Sequence, residues 1–404
     1  MPDQQKVRFL KNTIQHYAWG SYTAIPALLG QPTPADAPCA EMWMGAHPKA
    51  PSMVEKQGRP VSLEALIDQN PAAILGVSVA RAFDGRLPFL FKVLAAARPL
   101  SIQAHPDKPQ AEAGFARENQ MGISLDAPHR NYKDDNHKPE CICALSEFNA
   151  LCGFRRIDTI ISYMDKLLPD DETTIRPTLQ DALVHSRLQS FFKILMQLPA
   201  DKADAVVNHA VANAGRLREA DPVYKWIVRL HEEYPGDIGV LAPAFLNLIT
   251  LTQGQAMFLP AGVLHAYLDG TGLELMANSD NVLRGGLTPK HVDVPELLKV
   301  LDFSEMVPVV LSPSAVGPCE HVYPTDAEEF VLSVIEVKPN QPYDGHYPEN
   351  VAILLCTAGN GTLYVGGTGQ DIPFQKGQSI LIPATAGKYT LSGTAVVYKA
   401  TVPD

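Results

Sequence analysis

Apolar residues fall in two kinds of run along this 404-residue chain. The runs FLFKVL (89–94), AMFLP (256–260), VAILLC (351–356) and SILIP (379–383) are short and set off by glycine and proline, so they predict strands towards both ends. Between residues 156 and 250 the spacing changes. Ile157, Ile160, Ile161, Met164, Leu167 and Leu168 recur at the i, i+3, i+4, i+7 interval of a buried helix face. SFFKILMQL (190–198) and VYKWIVRL (223–230) continue that pattern. DVPELLKVL (293–301) adds another helix, with Asp293 as its N-cap ahead of Pro295. The pattern predicts a mainly β protein with an inserted α-helical domain.

At this length two or three domains are expected. Composition excludes several classes: 46% hydrophobic and 19% charged residues describe a globular chain, neither disordered nor fibrous. A formal charge of -11 argues against a broad nucleic-acid or anionic-membrane surface, so neither partner is expected and an anionic ligand needs a local basic pocket. The N-terminal MPDQQKVRFLKNTIQHYAWG has no long apolar stretch before a small-residue cleavage site, and no run reaches a membrane-spanning length, which makes the cytoplasm the expected location. The six cysteines show no CxxC pattern and read as buried thiols; for Cys141 and Cys143 core packing is preferred to metal ligation.

The string from Gly254 to His265 has the form G-x5-P-x-G-x2-H and resembles the second motif of cupins, small jelly-roll barrels whose motif histidine points into the interior. Gly377–Pro383 repeats its first half, with Thr385 and Lys388 where the second glycine and the histidine would fall, which predicts a second barrel without a metal. Gln103 and His105 lie two residues apart, on one face of an extended strand, and can converge with His265 on one ion. Glu140, after His137-Lys138-Pro139, runs directly into the apolar CICAL. A carboxylate entering a core needs a cation. Two imidazoles, an amide oxygen and a carboxylate form a site for one divalent metal, zinc in the first place, with manganese, iron or cobalt also acceptable.

The polar loop 278–290 contributes Arg284 beside Gly285 and Gly286, a forked cation with room for close ligand approach; the plainer alternative is a surface ion pair with Asp280.

Four strings together resemble type I phosphomannose isomerases: QHYAWGS (15–21), EMWMGAHPKAPS (41–52), SIQAHPDKP (101–109) with DDNHKPE (134–140), and NSDNVLRGGLTPKH (278–291). The resemblance implies a zinc site of Gln103, His105, Glu140 and His265, with Arg284 as the active-site arginine. It also implies a helical domain inserted between two cupin-like jelly-roll barrels: a catalytic unit of 1–155 with 251–305, helices at 156–250, and a degenerate barrel at 306–404. The implied reaction interconverts mannose 6-phosphate and fructose 6-phosphate through an enediol(ate), which needs a polarised carbonyl and a proton carrier. His137, Lys138 and Asp280 are the candidates. Lys138 shares a face with Glu140 if the segment is extended, whereas His137 points away unless the chain twists. Ser101, Lys92 and Lys290 are the candidates for the substrate phosphate; for Lys92, in an apolar strand, an edge role competes. Trp19, Trp43 and His47 read as buttressing residues. A monomer is expected. The rival readings are a metal-dependent cupin oxygenase, against which the Gln-x-His pair and the arginine-glycine loop both weigh, and a non-catalytic metal-bearing sugar-binding cupin.

Overall fold

The computed structural model describes residues 6–169, 175–185, 187–345, 350–366 and 369–403. Strand Phe89–Ala96 shows how the first sheet is built. Phe89, Phe91, Val93 and Ala95 enter one apolar core while Leu94 and Ala96 enter another, the two-residue alternation of a strand buried on both faces. The long strand His265–Ala277 pairs with it from Gly270↔Ala96 to Ala277↔Phe89 and is flanked on its other side by Glu140–Ala144. Its first residues pair instead with Phe148–Phe154 and with Gln103. The change of partner falls at Gly270, whose φ is +117°; a Cβ there would meet Glu147 O at 2.6 Å.

Of the ten strands of this unit among the described residues, six follow an open path from Leu246–Leu251 to Thr13–Gln15, and four pair off it. The closed barrels expected from the sequence are not seen. Apolar faces are covered by packing rather than by pairing of edges: Leu94, Ile142, Phe148, Ala150 and Met257 meet in one interior core.

Helices Ile157–Leu167, Arg176–Val184, Leu188–Met196, Ala200–Leu217 and Pro222–Glu233 come between strands Phe148–Phe154 and Leu246–Leu251. Ile160, Met164 and Leu167 are buried, as their spacing predicts. They share a core with Ile102, Ala104, Leu151, Leu264, Leu268 and Leu283, so the helices cover the outer face of the strands that carry the site. Asp293 caps the helix Val294–Val300, its side chain accepting from Glu296 N. No helix among the described residues is long and apolar enough to cross a membrane.

A second sheet runs through Ser379–Ile382, Ala352–Val365, Tyr389–Thr401, Val331–Val337 and Glu320–Tyr323. Its outermost strand is Arg8–Leu10, paired Arg8↔Leu381 to Leu10↔Ser379, although the division expected from the sequence puts those residues with the catalytic unit. Strand pairing joins backbones irrespective of their distance in sequence. Leu332, Ile353, Leu355 and Ala400 of this sheet pack on Met42, Met44, Phe91 and Leu273 of the first, so the two units share one core. Cys141 and Cys143 also enter this shared core, and Cys143 Sγ donates to Tyr323 OH at 3.2 Å. Their packing role follows.

Candidate active site

Strand alternation delivers the ligands. Cys141 and Cys143 face the shared core, so Glu140 leaves the opposite face; Ile102 and Ala104 face the helices, so Gln103 and then His105 turn inward. In the sheet Gln103 is paired with both His265 and Arg284.

His105, Glu140 and His265 are buried with their ligand atoms within 4.8 Å of one another. Glu140 lies between the two imidazoles: His105 Nε2 is 3.4 Å from Oε1 and His265 Nε2 is 3.4 Å from Oε2. Each ring is oriented from behind. His105 Nδ1 is 2.7 Å from Asn281 O, and His265 Nδ1 is 2.9 Å from Val263 O. A carbonyl only accepts, so both Nδ1 atoms donate and both Nε2 atoms present lone pairs to the site. His105 Nε2 is buried without a hydrogen-bond partner among the described residues. Burial pushes the His105 pKa down to about 4, favouring the neutral ligand form. Burial alone would raise Glu140, but Lys138 and the two histidines outweigh it and hold the carboxyl well below its ordinary range. An ionised carboxylate between two outward lone pairs, one otherwise orphaned, fits a divalent cation.

Charged groups surround this cluster. Lys138 Nζ is 3.1 Å from Glu140 Oε1, on the side that the extended reading expects. His137 meets Glu329 of the second sheet unit. Asp280 is 2.8 Å from Lys49 Nζ and 3.5 Å from His47 Nε2. Burial would raise its pKa, but hydrogen bonds from His47 and Lys49 prevail and keep it well below the usual carboxylate range. With Asp280 held there, the surface ion pair with Arg284 does not form. Arg284 is half-buried, has no carboxylate partner among the described residues, and is lowered in pKa by burial. The exposed Lys290 is lowered by burial of its stem and then by the nearby Arg284 charge. Ser101, half-buried, lies on the Gln103 face. Neither Arg284 nor Lys290 has a carboxylate partner among the described residues.

Lys92 is placed otherwise than expected for a phosphate contact. It is buried in an ion pair with Glu274, with Glu41 at 3.8 Å. Desolvation acts to lower its pKa, but the two carboxylates dominate and raise it. Trp43 Nε1 donates to Glu41 Oε2 at 2.6 Å and Tyr267 OH donates to Glu274 Oε1 at 2.9 Å. Sequence reasoning missed Glu274, although an acid at an inward position of the apolar GLELMA carries the same signal as Lys92. Asn281 left no such signal. It is fully buried and stitches two loops together: its Oδ1 accepts from Lys133 N at 2.6 Å, and its Nδ2 donates to Asp134 O and Asn136 O, each at 2.8 Å.

Fold and site together define a cupin-like protein with a buried His-Glu-His cluster that fits a metal and an arginine paired beside it in the sheet. Comparison with known families makes this specific. Residues 7–157 match the catalytic domain of type I phosphomannose isomerase, 169–246 its helical insertion domain, and 320–401 the mannose-6-phosphate isomerase cupin domain. Mannose-6-phosphate isomerase of Escherichia coli (strain K12) is 40% identical over 387 residues, 95% of this chain and 96% of that one. The Homo sapiens protein of that name is 36% identical over 403 residues, 93% of each chain. Among solved structures, a zinc-bound mannose 6-phosphate isomerase superposes with TM-score 0.88 at 38% identity, covering 98% of this chain and 100% of that one. A variant of the Salmonella typhimurium phosphomannose isomerase gives 0.89 at 37%, with the same coverage. This chain belongs to the type I phosphomannose isomerase family. Its mainly β fold with a helical insertion is that of the family.

Proposed function

We propose that this chain interconverts mannose 6-phosphate and fructose 6-phosphate, with one zinc ion held by Gln103, His105, Glu140 and His265. The observation that carries the reading is the buried His105–Glu140–His265 cluster with Arg284, which has no acid partner among the described residues, in the same sheet. When bound, zinc supplies Lewis acidity for the developing enediolate charge. Arg284 shares that charge through its fork, and Lys290 with Ser101 receives the phosphate.

The isomerisation shifts one proton from C2 to C1 and one from O2 to O1. A base takes the proton from C2 of the aldose, the C–H electron pair becomes the enediolate double bond, and the carbonyl oxygen gains charge and then a proton. Return of a proton to C1, with loss of the proton on O2, completes the ketose. Lys138 is committed to Glu140, and Asp280 to Lys49 and His47. Of the three candidates, only His137 keeps a side-chain nitrogen without a recorded partner among the described residues, and on that ground we take it as the proton carrier. Lys138 and Asp280 set the charge around it, and Lys92 anchors the pocket floor through Glu274 and Glu41.

Isomerase activity on mannose 6-phosphate is measured before chelation, after it, and after zinc is restored. Activity that disappears and returns supports the assignment; zinc-loaded protein that fails to isomerise the sugar overturns it in favour of an oxygenase or a binding module. We also place the protein in the cytoplasm, where its six free buried thiols stay reduced, in carbohydrate and specifically mannose metabolism. The division into a catalytic unit, a helical insertion at 156–250 and a C-terminal unit from 306 is supported by the run of helices between two strands of the first sheet and by a separate C-terminal core, although Leu246–Leu251 pairs back into the catalytic sheet. We also propose a monomer, which sedimentation tests.

A further inference from the structure

The proton carrier named above is faced by a carboxylate from the other sheet unit. His137 Nε2 hydrogen-bonds Glu329 Oε1. Glu329 is buried, and its neighbours Ala327 and Phe330 are embedded in the core that the two sheets share, so its position is set by the packing of one unit on the other. Its second oxygen, Oε2, is buried with no hydrogen-bond partner among the described residues. A buried carboxylate with a single hydrogen-bonding partner is costly, and such groups call for a functional account.

The backbone on both sides of His137 is pinned. Asn136 O accepts from Ser279 Oγ and Asn281 Nδ2, and Pro139 O accepts from Ala277 N at 3.0 Å. What remains free is rotation of the His137 ring and the choice of its tautomer. A carboxylate oxygen accepts, so Nε2 donates and the lone pair falls on Nδ1, opposite to the tautomer that the carbonyls impose on His105 and His265. We propose that Glu329 is a positioning residue of the isomerase reaction: by holding His137 in the Nε2–H tautomer and offsetting the charge of its imidazolium, the C-terminal unit completes the proton-transfer apparatus. The proposal rests on His137 as the proton carrier. It gives the degenerate C-terminal unit a part in turnover, although that unit contributes no residue to the metal cluster.

The test is a double-mutant cycle in the zinc-loaded full chain. Glu329→Gln is expected to lower kcat by about 10- to 100-fold, with KM and zinc content changed less than about twofold. In a His137→Gln background the same change is expected to have no further effect on kcat, because the carboxylate acts through that ring. Additive losses, or a lowered Tm with kcat unchanged, would make Glu329 a latch between units and overturn the proposal. Wild-type kcat in His137→Gln would remove the proton-carrier reading itself, whereas loss in His137→Gln with full activity in Glu329→Gln would remove only the role of Glu329. Nitrogen NMR of histidine-labelled wild-type protein needs no stable Glu329 variant. It should show His137 protonated at Nε2, and protonation at Nδ1 would overturn the proposal.

Discussion

In the first sheet unit, Gly254 at φ +85° turns the chain into strand Ala256–Leu259, Pro260 follows, and His265 opens a long strand. In the second, Gly377 at φ +87° turns the chain into Ser379–Ile382, Pro383 follows, and Tyr389–Thr401 begins directly after Lys388. The local device is the same and the interiors differ. The first encloses His105, Glu140, His265 and the Lys92 group. The second is lined by Leu354, Cys356, Ile380, Leu391 and Val397. Its ionic group is closed on itself: Glu320 accepts from Lys399 at 2.5 Å, Ser333 at 2.7 Å and Tyr343 at 2.9 Å. A turn that needs positive φ occurs both with and without a ligand cluster, because backbone conformation and side-chain function are separate demands. A polar interior that satisfies itself is structural; one that leaves His105 Nε2 open can hold a ligand.

The largest break in this comparison comes from Glu140→Ala. It should abolish zinc binding and lower kcat by about 10³-fold or more, as the loss of several kcal/mol of charge stabilisation requires. Glu320→Ala, at the closed group of the other unit, should leave kcat within about twofold. Metal analysis and initial rates decide both, and equal losses would erase the distinction between the interiors.

Next in size is Lys92→Met, which leaves Glu274 and Glu41 buried without their cation and should destabilise the fold by about 3–5 kcal/mol in urea unfolding. A variant as stable as wild type would show that Lys92 is not the anchor of that group.

A smaller effect concerns pH. The folded His105 pKa is about 4, below the ordinary histidine value of 6.5, so the unfolded chain binds the proton more tightly. The metal-free protein should keep the full contribution above 6.5 and lose stability as the pH falls from there towards 4. The urea midpoint after chelation should therefore be lower at pH 5 than at pH 7, and the drop should shrink in His105→Asn. An undiminished drop would assign it to other groups.

The smallest expected change is no change. Thr385→Gly with Lys388→His restores the motif of the second unit but supplies no counterpart of Glu140, so zinc should stay at one per chain. A second bound zinc would mean that the turn motif alone builds a site.

Much of the site was legible from local spacing. The two-residue interval places Gln103 with His105, and Lys138 with Glu140, on shared faces, and a helix interval marks the buried side of 157–167. Glycine and proline spacing located His265. Those signals are local because backbone geometry repeats every two or 3.6 residues whatever lies across from it. Periodicity says which face is turned inward but not which face it meets. Lys92 against Glu274, Asp280 against Lys49, His137 against Glu329, and Arg8–Leu10 against 379–381 join residues far apart in sequence, and only sheet order and the packing of one unit on the other bring them together. The sequence by itself determined the kinds of ligand and the faces that carry them. The tertiary structure decided which charges are spent on one another and which remain for a substrate, because ion pairs and hydrogen bonds act over a few ångströms of space and not along the chain.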